Sequence, residues 1–189
     1  MLPLTSRQQF TVGSVLALLL VATRGQHFAT LHSLPGASWA VFFLAGVYLR
    51  PAWILPALLA GVAAMDLTPW FLGEGQFCIT TAYAFLLPAY GSLWLAGRWY
   101  AARHRPAFST LLPLGLSVFL GGAACELFSS GGFYFFSGRF AEPGMLEFAA
   151  REAKYFPSYL GSLVFYVGSA ALVHAALAAI GRSHAATDA

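Results

Sequence analysis

Long apolar runs, separated by small clusters of charged residues, extend along the whole chain. Only 9% of its 189 residues are charged, whereas a soluble domain carries about 25%. The runs lack the short alternating segments that are typical of a membrane β-barrel. They therefore predict one all-α domain over residues 1–189, placed in a lipid bilayer by six transmembrane helices. The net charge of +3 is small, and nothing in the sequence indicates a nucleic-acid partner.

Polar and proline-containing connections set the bounds of the six predicted spans. These are, in chain order, Gln9–Thr23, Ala37–Leu49, Ala52–Leu67, Phe77–Gly97, Phe108–Phe128 and Pro157–Ile180. The connection Ser129–Phe156 exceeds the usual loop length, which predicts that it is either functional or partly structured. The polar tail from about residue 181 to residue 189 is expected to be disordered.

The distribution of charge predicts the orientation of the spans. Basic residues on the side of the N-terminus are Arg7, Arg50, Arg98, Arg103, Arg105 and Arg182. Those on the opposite side are Arg24, Arg139, Arg151 and Lys154. Because short cytoplasmic loops carry an excess of Lys and Arg, we expect both termini in the cytoplasm. Four ionisable or reactive side chains then lie near the outer boundary of the membrane, namely Asp66, Cys78, Glu126 and Arg151.

Cys78 is the main candidate for chemistry. It lies in the predicted first turn of the fourth span, where the helix dipole favours a thiolate, and a thiolate is a soft ligand for transition metals. Tyr83 follows five residues later, about 140° further around the same predicted helix. Two other interpretations of Cys78 stay open. It can be a small buried residue, or it can pair with Cys125 in a disulfide on the oxidising side.

The remaining candidates allow a structural and a functional interpretation. Asp66 and Glu126 both end predicted helices near water and could simply be solvated, although Asp66 opposes the dipole of its helix. Glu147 and Arg151 have the spacing of an ion pair on one helix. The aromatic stretch 131–138, which begins and ends with glycine, predicts either an interfacial belt or a flexible lid over a large flat ligand.

The order of these residues resembles a known family. Six short spans with Asp66, then Cys78-x4-Tyr83, then Arg151 before the last span are similar to the BtuM family of bacterial cobalamin transporters. These are often regarded as solitary relatives of the substrate-binding S-components of energy-coupling factor (ECF) transporters. The resemblance covers essentially the whole chain and implies an ECF S-component-like fold in the bacterial inner membrane.

The resemblance also implies roles for individual residues. Cys78 would be the axial ligand of the cobalt in bound cobalamin, and Asp66, Tyr83 and Arg151 would line or support the same site. The small-xxx-small step of Gly13 and Ala17 in the first span would let an ECF-type coupling module approach closely. No G-x-x-x-x-G-K-[ST] loop occurs in the sequence, so any coupling to ATP would come from such a partner.

A thiolate opposite cyanide would weaken the cobalt–cyanide bond, so we expect Cys78 to promote reductive decyanation of cyanocobalamin. Three alternatives belong to other classes: an S-component for another vitamin or a metal ion, a membrane thiol oxidoreductase that uses Cys78 and Cys125, and a purely structural membrane subunit. The sequence contains no C-x-x-C pair, which disfavours the oxidoreductase.

Overall fold

The fold is all-helical over the residues that the computed structural model describes, which are 4–24, 35–71, 80–105 and 107–187. Two short 3-10 helices, Thr81–Phe85 and Phe108–Thr110, precede the fourth and fifth α-helices. The α-helices are α1 (Ser6–Arg24), α2 (Ser38–Tyr48), α3 (Ile54–Phe71), α4 (Leu86–Arg103), α5 (Leu111–Phe136) and α6 (Met145–Thr187). The predicted all-α class is thus confirmed, and the described ranges contain six α-helices.

The predicted connection Ser129–Phe156 is structured over most of its length, as expected, but its bounds are wrong because most of it belongs to two helices. α5 continues to Phe136 and α6 already begins at Met145, which leaves only residues 137–144 between them. The aromatic stretch that was interpreted as a flexible lid therefore lies mainly in the last turns of α5. Its glycines serve packing: a Cβ on Gly132 would overlap the ring of Phe85. α6 also runs on to Thr187, where the sequence predicts a polar tail.

The fourth helix begins later than predicted. Thr80 has an extended backbone, with φ −118° and ψ 169°, and the 3-10 helix starts only at Thr81. The described helical segment that contains Tyr83 therefore begins at Thr81. Cys78 lies outside the described residues, so the angle of about 140° between it and Tyr83 stays a prediction.

α2 is the central helix of the bundle. All eight residues of 40–47 are buried, and helices that are apolar on every side are typical of such positions. With 11 residues, α2 is only about 17 Å long. It packs against α1 and α6 as well as α4, and α4 in turn packs along α5.

Glycines allow the backbones of α2 and α4 to touch. A Cβ on Gly46 would overlap the carbonyl oxygen of Trp94, and a Cβ on Gly97 would overlap that of Phe43. The contact is reciprocal and involves main-chain atoms on both helices. It is the closest kind of helix crossing, which small residues make possible in membrane proteins.

Two ends of the bundle can be distinguished from contacts between the connections. At one end, Gln9 accepts a hydrogen bond from the backbone of Arg50 at 3.1 Å, and Arg98 donates to the carbonyl of Arg50 at 2.7 Å. We call this the arginine end. At the other end, the last residue of α1 contacts Asp66 of α3 and the beginnings of α2 and α4. Successive helices among α1–α4 thus run in opposite directions.

The segments Phe108–Phe136 and Met145–Ile180 are both long and apolar enough to cross a membrane. Large apolar side chains on α6 stay uncovered by protein; Leu172 is 75% exposed and Leu177 is 64% exposed. Contiguous apolar surface of this kind needs apolar surroundings. The fold is that of a membrane-associated helical protein.

Candidate functional site

An ion pair joins two helices at the end opposite the arginine end. Arg24, the last residue of α1, donates from Nε to Oδ1 of Asp66 at 2.8 Å and from Nη2 to Oδ2 at 2.6 Å. The two side chains are only 17% and 20% exposed. This bidentate arrangement matches the planar guanidinium to the carboxylate and is the strongest geometry available to such a pair.

Three hydroxyl groups complete the network around this ion pair. The phenol of Tyr83 donates to Oδ2 of Asp66 at 3.0 Å. Nη1 of Arg24 donates to the phenol oxygen of Tyr90 at 2.9 Å and to Oγ of Ser38 at 3.1 Å. We call these five residues the Arg24–Asp66 network. It ties α1, α2, α3, α4 and the 3-10 helix Thr81–Phe85 together at one point.

Neighbouring groups fix the members of the network. The ring of Tyr90 stacks on Phe42 of the central helix, with centroids 4.2 Å apart. The phenol of Tyr83 donates to the Asp66 carboxylate and so adds a further donor to the two that Arg24 provides. The Asp66 carboxylate therefore has a fixed position and a fixed set of donors, as a binding site requires.

The structure brings together two of the four predicted site residues. Asp66 and Tyr83, 17 positions apart, are in direct contact through the hydrogen bond from the phenol. Cys78 lies outside the described residues, two positions before Thr80, where the described chain resumes.

Arg151 belongs to a different cluster, between α5 and α6. It forms the predicted ion pair with Glu147 at 3.0 Å, which is confirmed. Its guanidinium also lies over the rings of Phe140 and Tyr134, at 4.8 and 5.5 Å from their centroids. Tyr134 donates to the other oxygen of Glu147 at 3.0 Å. Within the described parts of the chain, no hydrogen bond or ion pair joins Arg151 to Asp66 or Tyr83.

The cluster around Arg151 nevertheless lies at the same end of the bundle as the network. The side chain of Thr81 donates to the carbonyl of Phe136 at 2.7 Å. Phe85 stacks on Phe136, with centroids 4.9 Å apart. The short 3-10 helix that holds Tyr83 is therefore packed against the last turn of α5, which leads directly into the Arg151 cluster.

Arg24, Ser38 and Tyr90 were not predicted as site residues. A signal for Arg24 exists in the sequence, because a carboxylate at the end of the predicted third span favours a nearby cation, and Arg24 ends the first span on the same predicted side. Nothing in the spacing of Ser38 or Tyr90 distinguishes them from ordinary residues of a helix.

Glu126 is buried, which corrects the prediction that it ends a helix near water. Because α5 continues for ten residues beyond it, Glu126 lies within the helix and is only 2% exposed. Its neighbour Cys125 is a free thiol that is 0% exposed. The helix packs tightly just before Cys125, since a Cβ on Gly121 would lie 2.7 Å from that of Ala96.

No group of three metal-binding side chains occurs in the described ranges. A cobalt ion held by its own corrin ring needs only one donor from the protein, so this observation does not bear on Cys78. A cavity of about 670 Å³ lies near the arginine end and is lined mainly by apolar side chains, together with His104 and His174. None of the described site residues that were predicted lines this cavity.

No protein-family model matches this sequence, and no curated protein sequence matches it significantly.

We expect Arg24→Met to destabilise the fold strongly. The substitution would leave the Asp66 carboxylate with its charge but without its cation, which costs about 3 kcal/mol for a largely buried pair. Thermal unfolding of the purified protein in detergent measures this loss.

Two further variants test the assignment of this effect. Arg7→Met removes an exposed arginine from the same helix and should change the unfolding temperature little. Adding Asp66→Leu to Arg24→Met should restore part of the lost stability, because no unpaired charge is then left behind. Equal effects of Arg24→Met and Arg7→Met would contradict a stabilising role of the network.

Proposed function

We propose that this protein is a multi-pass membrane protein that binds cobalamin for transport. Its binding site lies at the end of the bundle that holds the Arg24–Asp66 network. In this proposal six helices span a bacterial inner membrane, and both termini lie in the cytoplasm. The site then faces the outer side of that membrane. The thiolate of Cys78 takes one axial position on the cobalt of the bound corrinoid.

One observation carries this proposal: the contact between Asp66 and Tyr83 at 3.0 Å. These residues lie on either side of the segment 72–79, which contains Cys78, and the resemblance assigned both to the site before any contact was known. Because Tyr83 and Asp66 meet, the chain that enters this segment and the chain that leaves it meet at the same network. The described residues on both sides of the segment with Cys78 therefore belong to the network that would support the corrinoid.

The other described residues have roles that follow from their contacts. The Arg24–Asp66 network fixes the base of the site. Arg151, held by Glu147 and by aromatic rings, supports its wall at the α5–α6 connection rather than contacting Asp66. A second thiol on this side is not accessible, because Cys125 is fully buried, and this disfavours the alternative of a thiol oxidoreductase.

The proposal includes coupling to an ECF-type module, and the exposure of residues on α1 indicates which part of this helix would contact it. Ala17 is exposed on α1 and is free for close approach. Gly13 is half-buried, and a Cβ added there would lie 3.8 Å from the side chain of Leu49. Ala17 therefore represents the docking face better than Gly13 does.

Binding of a coloured ligand tests the proposed function directly. Purified protein mixed with hydroxocobalamin or cyanocobalamin should remain coloured after gel filtration, with a cobalt absorption spectrum that differs from that of the free ligand. The reason is that a new axial ligand changes the electronic structure of the cobalt. A colourless protein would exclude cobalamin. Retention of a different vitamin in a parallel assay would support the alternative S-component function.

A further inference from the structure

A buried carboxylate in α5 is not used by the network described above. Glu126 is 2% exposed and lies within a helix that is long and apolar enough to cross a membrane. Its Oε1 accepts a hydrogen bond from Ser130 at 2.8 Å. Burial of an ionisable group in such a helix is costly, and such groups are usually retained for a function.

Glu126 lines a cavity of about 290 Å³. The other lining residues are Trp39, Ser129, Ser130, Phe133 and Tyr159. The rings of Trp39 and Tyr159 are stacked, with centroids 5.5 Å apart and planes 23° apart, and form one aromatic wall. The cavity thus combines a carboxylate, two hydroxyl groups and a flat apolar surface.

The cavity adjoins the proposed binding site. Trp39 follows directly after Ser38, which accepts a hydrogen bond from Arg24. On the other side, Phe133 belongs to the last turn of α5, next to the residues that pack on the 3-10 helix of Tyr83. The cavity and the Arg24–Asp66 network therefore lie close to each other, through neighbouring residues of α2 and of the end of α5.

The carboxyl oxygens of Glu126 at the cavity can accept hydrogen bonds from a ligand. Ser130 is the one side chain that hydrogen-bonds the Glu126 carboxylate within the described ranges, and no ion pair there includes Glu126. A carboxylate has several acceptor sites, so the cavity can accept N–H groups from a ligand.

We propose that Glu126 binds a peripheral carboxamide of the corrinoid, whose N–H donates to the carboxylate, while the wall of Trp39 and Tyr159 packs against the flat edge of the ligand. This inference rests on the proposed function, because it assigns a second contact to the same ligand. It makes Glu126 a determinant of specificity for corrinoids that carry amides. Peripheral groups of a corrinoid that have no N–H donor would not form this hydrogen bond with the buried carboxylate.

Two corrinoids without the nucleotide loop provide the test. Cobinamide has carboxamides at its periphery, whereas cobyrinic acid heptamethyl ester has no N–H donors. We expect the protein to bind the amide form more tightly. In Glu126→Ala, affinity for the amide form should fall by roughly ten- to hundredfold, as expected for a lost charge-assisted hydrogen bond, while affinity for the ester stays nearly constant.

Matched variants separate recognition from stability. Glu142→Gln alters an exposed carboxylate of the α5–α6 connection and should change neither affinity. Ser130→Ala removes the internal hydrogen bond of Glu126 but leaves its carboxylate, so preference for the amide form should persist. If Glu126→Ala fails to fold, Glu126→Gln provides the test, because it keeps the shape of the side chain. It should also reduce the preference for the amide form, but by less, because an amide oxygen is a weaker acceptor than a carboxylate oxygen.

The outcomes distinguish this inference from the proposed function. If Glu126→Ala weakens binding of both corrinoids equally, or of neither, Glu126 does not recognise the amides, although cobalamin binding itself stands. If the unmodified protein binds neither corrinoid, the proposed function fails as well.

Discussion

Replacement of Gly97 by leucine is expected to abolish the native bundle. A Cβ at this position would overlap the carbonyl oxygen of Phe43 and would lie 3.1 Å from the backbone nitrogen of Val47. Both atoms belong to the main chain of the central helix α2, so no side chain can rotate away to make room. The helices α2 and α4 would have to separate, and the loss of their packing should exceed about 4 kcal/mol.

Gly91 provides a control on the same helix. A Cβ there has no atom within 4 Å, and leucine is a better helix former than glycine. The unfolding temperature of Gly91→Leu should therefore lie within a few degrees of that of the unmodified protein. Unfolding temperature in detergent and the fraction of monodisperse protein on gel filtration are the measurements. A native unfolding temperature for Gly97→Leu, or equal damage from Gly91→Leu, would show that the close crossing of α2 and α4 is not required.

The class of fold could be predicted from the sequence because it depends on composition over long stretches. Apolar runs with few charges leave no alternative to helices in an apolar environment. The pairing of α2 with α4 could not be predicted in the same way. The sequence offers many small-xxx-small steps, among them Gly13 and Ala17, and only the tertiary structure shows that Gly46 and Gly97 form the closest crossing.

Glycine was the main source of error at the ends of helices. Gly131 and Gly132 indicated a flexible connection, yet they continue α5, because their missing side chains make room for the rings of Phe148 and Phe85. Because the helix was predicted to end too early, Glu126 was also predicted to lie at the membrane boundary and not in the interior. A break in the helix would have left its carboxylate near water, whereas the continuous helix buries it.

The candidate site was predicted in part. Asp66 and Tyr83 were assigned by resemblance, and their contact is present in the structure. The cation for Asp66 was not identified, since the 42 positions between Arg24 and Asp66 give no local pattern that links them. Pairing at such a separation depends on how α1 and α3 meet around α2.

Cys78→Ser is expected to remove the proposed bond between the protein and the cobalt of a bound corrinoid. Serine is similar in size to cysteine, but its hydroxyl is a hard donor that hardly ionises near neutral pH, whereas a thiolate suits a polarisable metal. Absorption bands that arise from the sulfur–cobalt bond should be absent in the complex of the variant. Cyanide release from cyanocobalamin in the presence of an external thiol reductant should fall to the rate without protein.

Affinity should decrease less than the spectrum changes. The corrin ring and its amides would still contact the site at the Arg24–Asp66 network, so a complex with an altered cobalt spectrum is expected at higher ligand concentration. Cys125→Ser is the matched control, because this thiol is fully buried between helices and cannot reach a ligand. It should leave both spectrum and cyanide release unchanged. An unchanged spectrum in Cys78→Ser beside an altered one in Cys125→Ser would assign the cobalt ligand to the other thiol. Unchanged spectra in both variants would exclude a thiolate ligand altogether.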